Sequence, residues 1–395
     1  MSNEGYLPLE SGFATLAIHA HQSPDQWNSG AVITPIVTAS TYKLQSADYS
    51  TGFQYGRWGN PTRNNLEGCL AALDKGKHAL VFATGCAATW SALTILKSGD
   101  HILCAADIYG GTHHLVDMVA QEKGVDLEFF DVNNLSSFEK MFKPTTKMVW
   151  IESPTNPLCK VVDVRKVAAI SHKQPGVLVV MDNTFLTSYF SKPLALGIDI
   201  VMYSMTKYMN GHSDVIMGAL VLNDDDVHAR LRDIQQHGGA VPGPFDCYLA
   251  LRGLKTLALR MKQHMKNGIE VAQYLKKHSL VEEVLHPGFP DHPGHEVLKK
   301  QCSGYCGMLA FKIKGAGMQE VSKFLKALKM IVYAGSLGGC DSLAESPALL
   351  SHKYLSKEER LEIGITDNLI RLSVGIEEAE DITKDIDQAL KAAFV

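Results

Sequence analysis

From about residue 64 the chain alternates two hydrophobic rhythms. Short runs apolar on both faces, ALVFA (79–83), HILCA (101–105), LEFFD (127–131), KMVWIES (147–153) and VLVVMD (177–182), alternate with helically spaced stretches at 86–97, 111–123 and 163–173. Strands with no polar alternation are covered on both faces, and strands joined by crossover helices run parallel. The pattern therefore predicts an α/β unit with a mainly parallel central sheet between two layers of helices.

Beyond DIVMYS (199–204) and VIMGALVL (215–222) the rhythm changes. A long helical tract near 254–278 leads into sparser strands such as GMLAFKI (307–313) and LIRLSV (369–374), which predicts a smaller C-terminal α+β domain. The first sixty residues, rich in Ser and Thr and ending in YGRWGNPTR, read as an extended arm. The expected division is an arm over 1–63, a large domain over 64–256 and a small domain over 257–395.

Polar residues recur where these strands end. Asp182 closes VLVVMD, Asn156 follows VWIESP, Tyr109 follows CAADI, and Lys207 follows IVMYSMT. In parallel sheets ligands gather at the carboxyl ends of the strands, so residues far apart in sequence converge there. An acid at the end of an apolar run needs a cationic or donor partner, and a lysine on a neighbouring strand end can pair with it. The same lysine can instead condense with an aldehyde cofactor. Pyridoxal phosphate uses both residues, the acid at the ring nitrogen and the amine at the aldehyde carbon. Ser204 and Thr206 flank Lys207 with hydroxyls for a phosphate. The ATGCAAT segment (83–89) offers Gly85, Cys86 and the N–H groups of a helix N-terminus, where anions are favoured.

Composition narrows the partners. Hydrophobic residues make up 46% and charged residues 20%, as in ordinary globular chains, and the net charge of −4 leaves no basic footprint for nucleic acid. No apolar run approaches the roughly 20 residues that span a bilayer, and no charged-then-apolar leader is evident. The eight cysteines (69, 86, 104, 159, 247, 302, 306 and 340) are scattered, which reads as reduced thiols in the cytosol. No metal site is expected: His113 and His114 are adjacent and diverge on a helix, and Cys302 and Cys306 lack a standard zinc spacing. His286, His292 and His295 stand in a Pro- and Gly-rich stretch and are expected to be solvated.

Eight stretches, YGRWGNPTR (55–63), DIYGGT (107–112), WIESPTNP (150–157), VVMDNTF (179–185), YSMTKYMNGHSDVIMG (203–218), LRGLKTL (251–257), SLGGCDSLAESP (336–347) and IRLSVGIE (370–377), occur in an order that resembles the Cys/Met-metabolism family of pyridoxal-phosphate enzymes. The resemblance is closest to its eukaryotic cystathionine γ-lyase branch. It implies fold type I and a homotetramer of two tight dimers, with Tyr55 and Arg57 of the arm binding the phosphate of a neighbouring subunit's cofactor. It also implies that Lys207 bears the cofactor and shuttles protons, that Asp182 holds the ring nitrogen, and that Tyr109 stacks on the ring and protonates the departing sulfur. Asn156 would contact the ring's 3-oxygen, and Arg371, with Ser336 beside it, would clamp the substrate carboxylate. The implied reaction eliminates a thiol from an L-amino acid. A replacement enzyme building a thioether, or a catalytically impaired binding relative, is a further reading.

Three positions depart from the family pattern. Where acidic or arginine side chains would grip the far end of cystathionine, this chain has Gln54, His114 and Gly335. A neutral amide, a mostly neutral imidazole and no side chain predict a roomier, less polar distal pocket, open to methionine, homocysteine or cysteine.

Overall fold

The computed structural model describes residues 5–44, 52–353 and 356–395. Seven strands, β1 (His78–Phe82), β2 (His101–Ala105), β3 (Asp126–Phe130), β4 (Thr146–Glu152), β5 (Leu178–Asp182), β6 (Ile200–Ser204) and β7 (Gly218–Leu222), form one sheet in the order β1-β7-β6-β5-β4-β2-β3. Only β7 runs against the others, antiparallel to both β6 and β1. Strands β2, β4, β5 and β7 are buried along nearly their whole length, as their unbroken apolar runs predict. Because β1, β2, β4, β5 and β6 point one way, their carboxyl ends share a single edge. The turn from β6 to β7 brings Lys207 back to that edge.

A second sheet holds β8 (Val281–Leu285), β9 (Met308–Ile313), β10 (Val332–Tyr333), β11 (Leu343–Glu345) and β12 (Leu369–Ser373) in the order β10-β11-β12-β9-β8. All its pairs except β10–β11 are antiparallel. Each sheet has its own apolar cluster, and the helix Leu257–Lys277 serves both. Its Leu257, Ala258 and Met261 pack into the first core, and its Val271, Ala272 and Leu275 into the second.

The N-terminal segment is only partly an extended arm. Residues 13–19 form a short helix whose Phe13 and Ala17 are buried in the first core, whereas residues 28–44 form no helix. Two of the three histidines expected to be solvated are a correction. His286 is fully buried between Phe289 and Tyr305, and its Nδ1 accepts the Gly288 N–H at 3.1 Å. Burial pushes it down to about 3, so it is neutral. His295 is buried against Tyr6 and reaches the Pro287 carbonyl at 3.0 Å. The covering rings come from residues 6 and 305, which local composition cannot reveal.

Arg260 locks the turn that carries Lys207. Its guanidinium is buried and donates to the carbonyls of Tyr208 (2.5 Å), Met209 (3.2 Å) and Gly253 (2.7 Å), while Nε reaches Thr256 Oγ1 at 3.1 Å. Burial lowers it to about 10, still charged at neutral pH. Arg260→Met keeps the bulk and strips the donors from three carbonyls. It should cost about 3 kcal/mol, seen as a lower urea midpoint. An unchanged midpoint would show that the carbonyls find other donors.

Candidate active site

The shared strand edge of the first sheet and the β10–β12 side of the second enclose a cavity of about 1160 Å³. Its wall includes Gly85, Cys86, Tyr109, Asn156, Asp182, Ser204, Thr206, Lys207, Gly335, Ser336 and Arg371. Sequence-distant strand ends thus meet as the α/β pattern requires.

At the cavity floor, Asp182 closes β5 with its carboxylate buried. Its Oδ1 accepts the Thr184 N–H at 2.9 Å, and the Thr184 hydroxyl in turn accepts the Ser204 N–H at 2.8 Å. Burial pushes Asp182 above the usual carboxylate range, opposed by Thr184 and by the charge of Lys207. A cationic ring nitrogen is the kind of partner such a carboxylate lacks.

Lys207 Nζ donates to Ser336 Oγ at 2.6 Å. Burial first, then the neighbouring Arg371 charge, lower it to about 8, against the pull of Glu345 and Asp182. A substantial fraction is therefore free amine near neutral pH, as a nucleophile or base requires.

The end of the cavity near β1 is built for an anion. Thr84 caps the helix Gly85–Leu93 by accepting the Ala87 N–H at 2.9 Å, which leaves the first N–H groups, those of Gly85 and Cys86, at the open helix end. Ser204 Oγ faces Gly85, and a Cβ at Gly85 would lie 3.2 Å from it. The helix start lies close on β7: a Cβ on Gly218 would meet the Thr84 carbonyl at 2.4 Å and Gly85 Cα at 2.8 Å. Thr206 is also on the wall, and its hydroxyl accepts the Met217 N–H at 3.0 Å, which braces the β6–β7 turn. These residues fit pyridoxal phosphate: a phosphate cradle, an amine and a buried carboxylate face one space.

Arg371, from β12, is buried with a defined set of free donors. Nη1 is used by Glu345 (3.0 Å) and by Asn156 Oδ1 (3.2 Å), and Nη2 gives one bond to the Ser336 carbonyl (2.5 Å). Nε has no partner although it is buried. The Nε–H and one Nη2–H remain, two donors for a carboxylate. Ser336 meets both cations, its hydroxyl taking Lys207 and its carbonyl Arg371.

The Tyr109 ring is half exposed at the cavity mouth. Burial raises its phenol, outweighing the Arg371 charge that lowers it, so it stays protonated at neutral pH and can donate.

Four of the residues expected at the site lie off this cavity wall. Tyr55 and Arg57 stack on each other, the guanidinium 5.5 Å from the ring centre, and Arg57 Nη1 donates to the Gln236 carbonyl at 2.7 Å. Gln54 is next to them, and His114 is on the exposed face of the helix Gly110–Lys123. Gly335 is on the wall. Sequence reasoning missed Glu152 and Glu345, both buried wall residues, because an acid inside WIESP or SLAESP looks like any solvated acid until its partners are known. The one grouping of His, Asp and Glu with metal-like spacing among the described residues, His101 with Asp126 and Glu128, has Lys143 paired to both carboxylates.

Comparison with known proteins gives the family. The model of the family described as Cys/Met metabolism PLP-dependent enzyme matches residues 14–391. Proteins named cystathionine gamma-lyase from Mus musculus and Homo sapiens are each 52% identical over 392 residues, covering 99% of this chain and 98% and 96% of theirs. The crystal structure of cystathionine gamma-lyase from Lactobacillus plantarum complexed with L-serine superposes with a TM-score of 0.92 at 37% identity, covering 97% of this chain and 99% of that one.

Two outcomes follow for the isolated apo chain. Condensation of Lys207 with added pyridoxal phosphate needs the free amine, so its rate should rise tenfold per pH unit at low pH and level off near 8. A rate still climbing past pH 10 would mean an ordinary lysine. Gly218→Ala should weaken cofactor binding at least about tenfold in a fluorescence titration, since the new methyl displaces Thr84 and Gly85. Unchanged affinity would refute the cradle.

Proposed function

Because the chain belongs to the Cys/Met metabolism family of pyridoxal-phosphate-dependent enzymes, we propose that it is a carbon–sulfur lyase of the cystathionine γ-lyase type. It eliminates a thiol from a sulfur amino acid and leaves a keto acid and ammonia. Support comes from one juxtaposition: an amine lowered to about 8, a buried carboxylate and a guanidinium whose Nε–H has no partner, all on one cavity wall.

Pyridoxal phosphate, when bound, supplies a cationic ring that accepts the electrons released as the Cα proton leaves. The chain's own groups do the rest. Asp182 keeps the ring nitrogen charged, and the Gly85–Leu93 helix start with Ser204 holds the phosphate. Arg371 fixes the substrate carboxylate through Nε and Nη2. Lys207, tethered at Ser336, takes the Cα proton and, where the sulfur is carried on Cγ, a Cβ proton as well, whose electrons expel the thiol. The Tyr109 phenol, protonated at neutral pH, delivers a proton to the leaving sulfur.

The distal end of the cavity accepts short or apolar sulfur substituents as well as cystathionine. Its wall there is Ile216, Ala334, Gly335, Leu343 and Leu350, and the nearby Glu345 is already spent on Arg371. Tyr55, Arg57 and Gln54 serve a neighbouring subunit, within a dimer of dimers. The exposure of Val32 (86%) and of Tyr55 and Trp58 beside them on the arm supports that assignment. The unpaired cysteines suit a reducing compartment such as the cytosol, and no helix among the described residues is long and apolar enough to cross a membrane.

The test is a panel of cystathionine, cysteine, homocysteine and methionine scored by keto-acid release, with no thiol acceptor present. Methionine or homocysteine should reach a kcat/KM within about tenfold of that for cystathionine. A Cβ at Gly335 would meet only Leu350, at 3.5 Å, so Gly335→Glu fits. It should shift the ratio toward cystathionine by about tenfold, the worth of one charge-assisted contact. A strong cystathionine preference in the unmodified enzyme would overturn the distal assignment, and no keto acid from any of the four would overturn the lyase.

A further inference from the structure

Two strand-end loops meet on one carboxylate. Glu152 closes β4 in register with Asp182 on β5, so the two side chains leave the sheet on the same face. It is 5% exposed, on the cavity wall. Both oxygens are used: Oε1 accepts the Asn156 N–H at 3.0 Å and Oε2 accepts the Tyr109 N–H at 2.8 Å.

Tyr109 depends on this anchor. Its ring is 48% exposed, so core packing does not place it, and it lies over Gly111, where a Cβ would come 2.5 Å from its Cε1. Asn156 Oδ1 in turn accepts from Arg371 Nη1 at 3.2 Å. A continuous chain of contacts therefore runs from the Tyr109 main chain through Glu152 and Asn156 to the Arg371 guanidinium.

We propose that Glu152 is a positioning residue for the reaction: a single carboxylate sets the distance between the ring-stacking phenol and the arginine that holds the substrate. This rests on the roles given above to Tyr109 and Arg371. A plain helix cap is the competing account, since Tyr109 is the N-cap of the helix Gly110–Lys123 and makes no side-chain cap bond. A cap would occupy one oxygen. The second goes to Asn156, outside that helix. Burial and the charge of Asp182 push the Glu152 carboxyl well up, while the two N–H groups pull it down. A glutamine would avoid the cost of burying charge but offers one acceptor, and its NH₂ would face an N–H.

Glu152→Gln in the holoenzyme isolates this point. The kcat/KM on the best substrate of the panel should fall about ten- to hundredfold, the effect of an ångström-scale misplacement. The visible circular-dichroism band of the bound cofactor, which reports the asymmetric surroundings of its ring, should weaken. Wild-type kcat/KM together with an unchanged visible band would overturn the proposal, even at a lower melting temperature, and would leave Glu152 as a cap. If the glutamine variant does not fold, Glu152→Asp keeps two acceptors but draws them back by one methylene, and the same readouts decide. A wild-type enzyme inactive on every sulfur amino acid would sink the proposed function instead, and the circular-dichroism comparison would still decide the role of Glu152.

Discussion

Ser336 is the joint on which the site depends. It accepts Lys207, from the β6–β7 turn of the first sheet, on its hydroxyl, and Arg371, from β12 of the second, on its carbonyl. To present both atoms it adopts φ 76°, a left-handed conformation that costs a non-glycine residue roughly 1 to 3 kcal/mol. The surrounding contacts offset that strain, and it serves geometry: the residue that moves protons and the residue that holds the carboxylate are referenced to one short loop.

The electrostatics follow from that closeness. Two cations in one cavity disfavour each other, which helps bring Lys207 down to about 8 while Arg371 stays charged. Three buried acids stand against them with separate duties. Glu345 neutralises Arg371 at Nη1, Asp182 faces the ring position, and Glu152 is turned toward main-chain N–H groups. Swapping any two of these acids would preserve the net charge and lose the arrangement, because each is defined by its donors.

Much of this was legible in the chain. The apolar runs located β2 to the residue and β4 and β5 to within one, because a strand buried on both faces leaves a continuous hydrophobic record. Lys207, Asp182, Tyr109 and Asn156 were legible as polar residues at the ends of such runs. Glu152 and Glu345 were not, since an acid's role depends on partners 43 and 26 residues away. His286 looked solvated among Pro and Gly, and rings from elsewhere in the chain buried it.

The sequence alone determined the layered α/β architecture, through hydrophobic period and strand-end polarity, and the family with its cofactor, through the eight motif stretches, because both are local properties that survive in a one-dimensional pattern. Tertiary structure decided which donors each acid meets, that Nε of Arg371 stays unpartnered, and that Gly335 lies on the cavity wall while His114 does not. Those outcomes depend on distances between segments far apart in the chain, and hydrogen-bond strength falls away within a fraction of an ångström beyond contact. Local pattern thus carries the kind of chemistry, and the packing of the two sheets carries its selectivity.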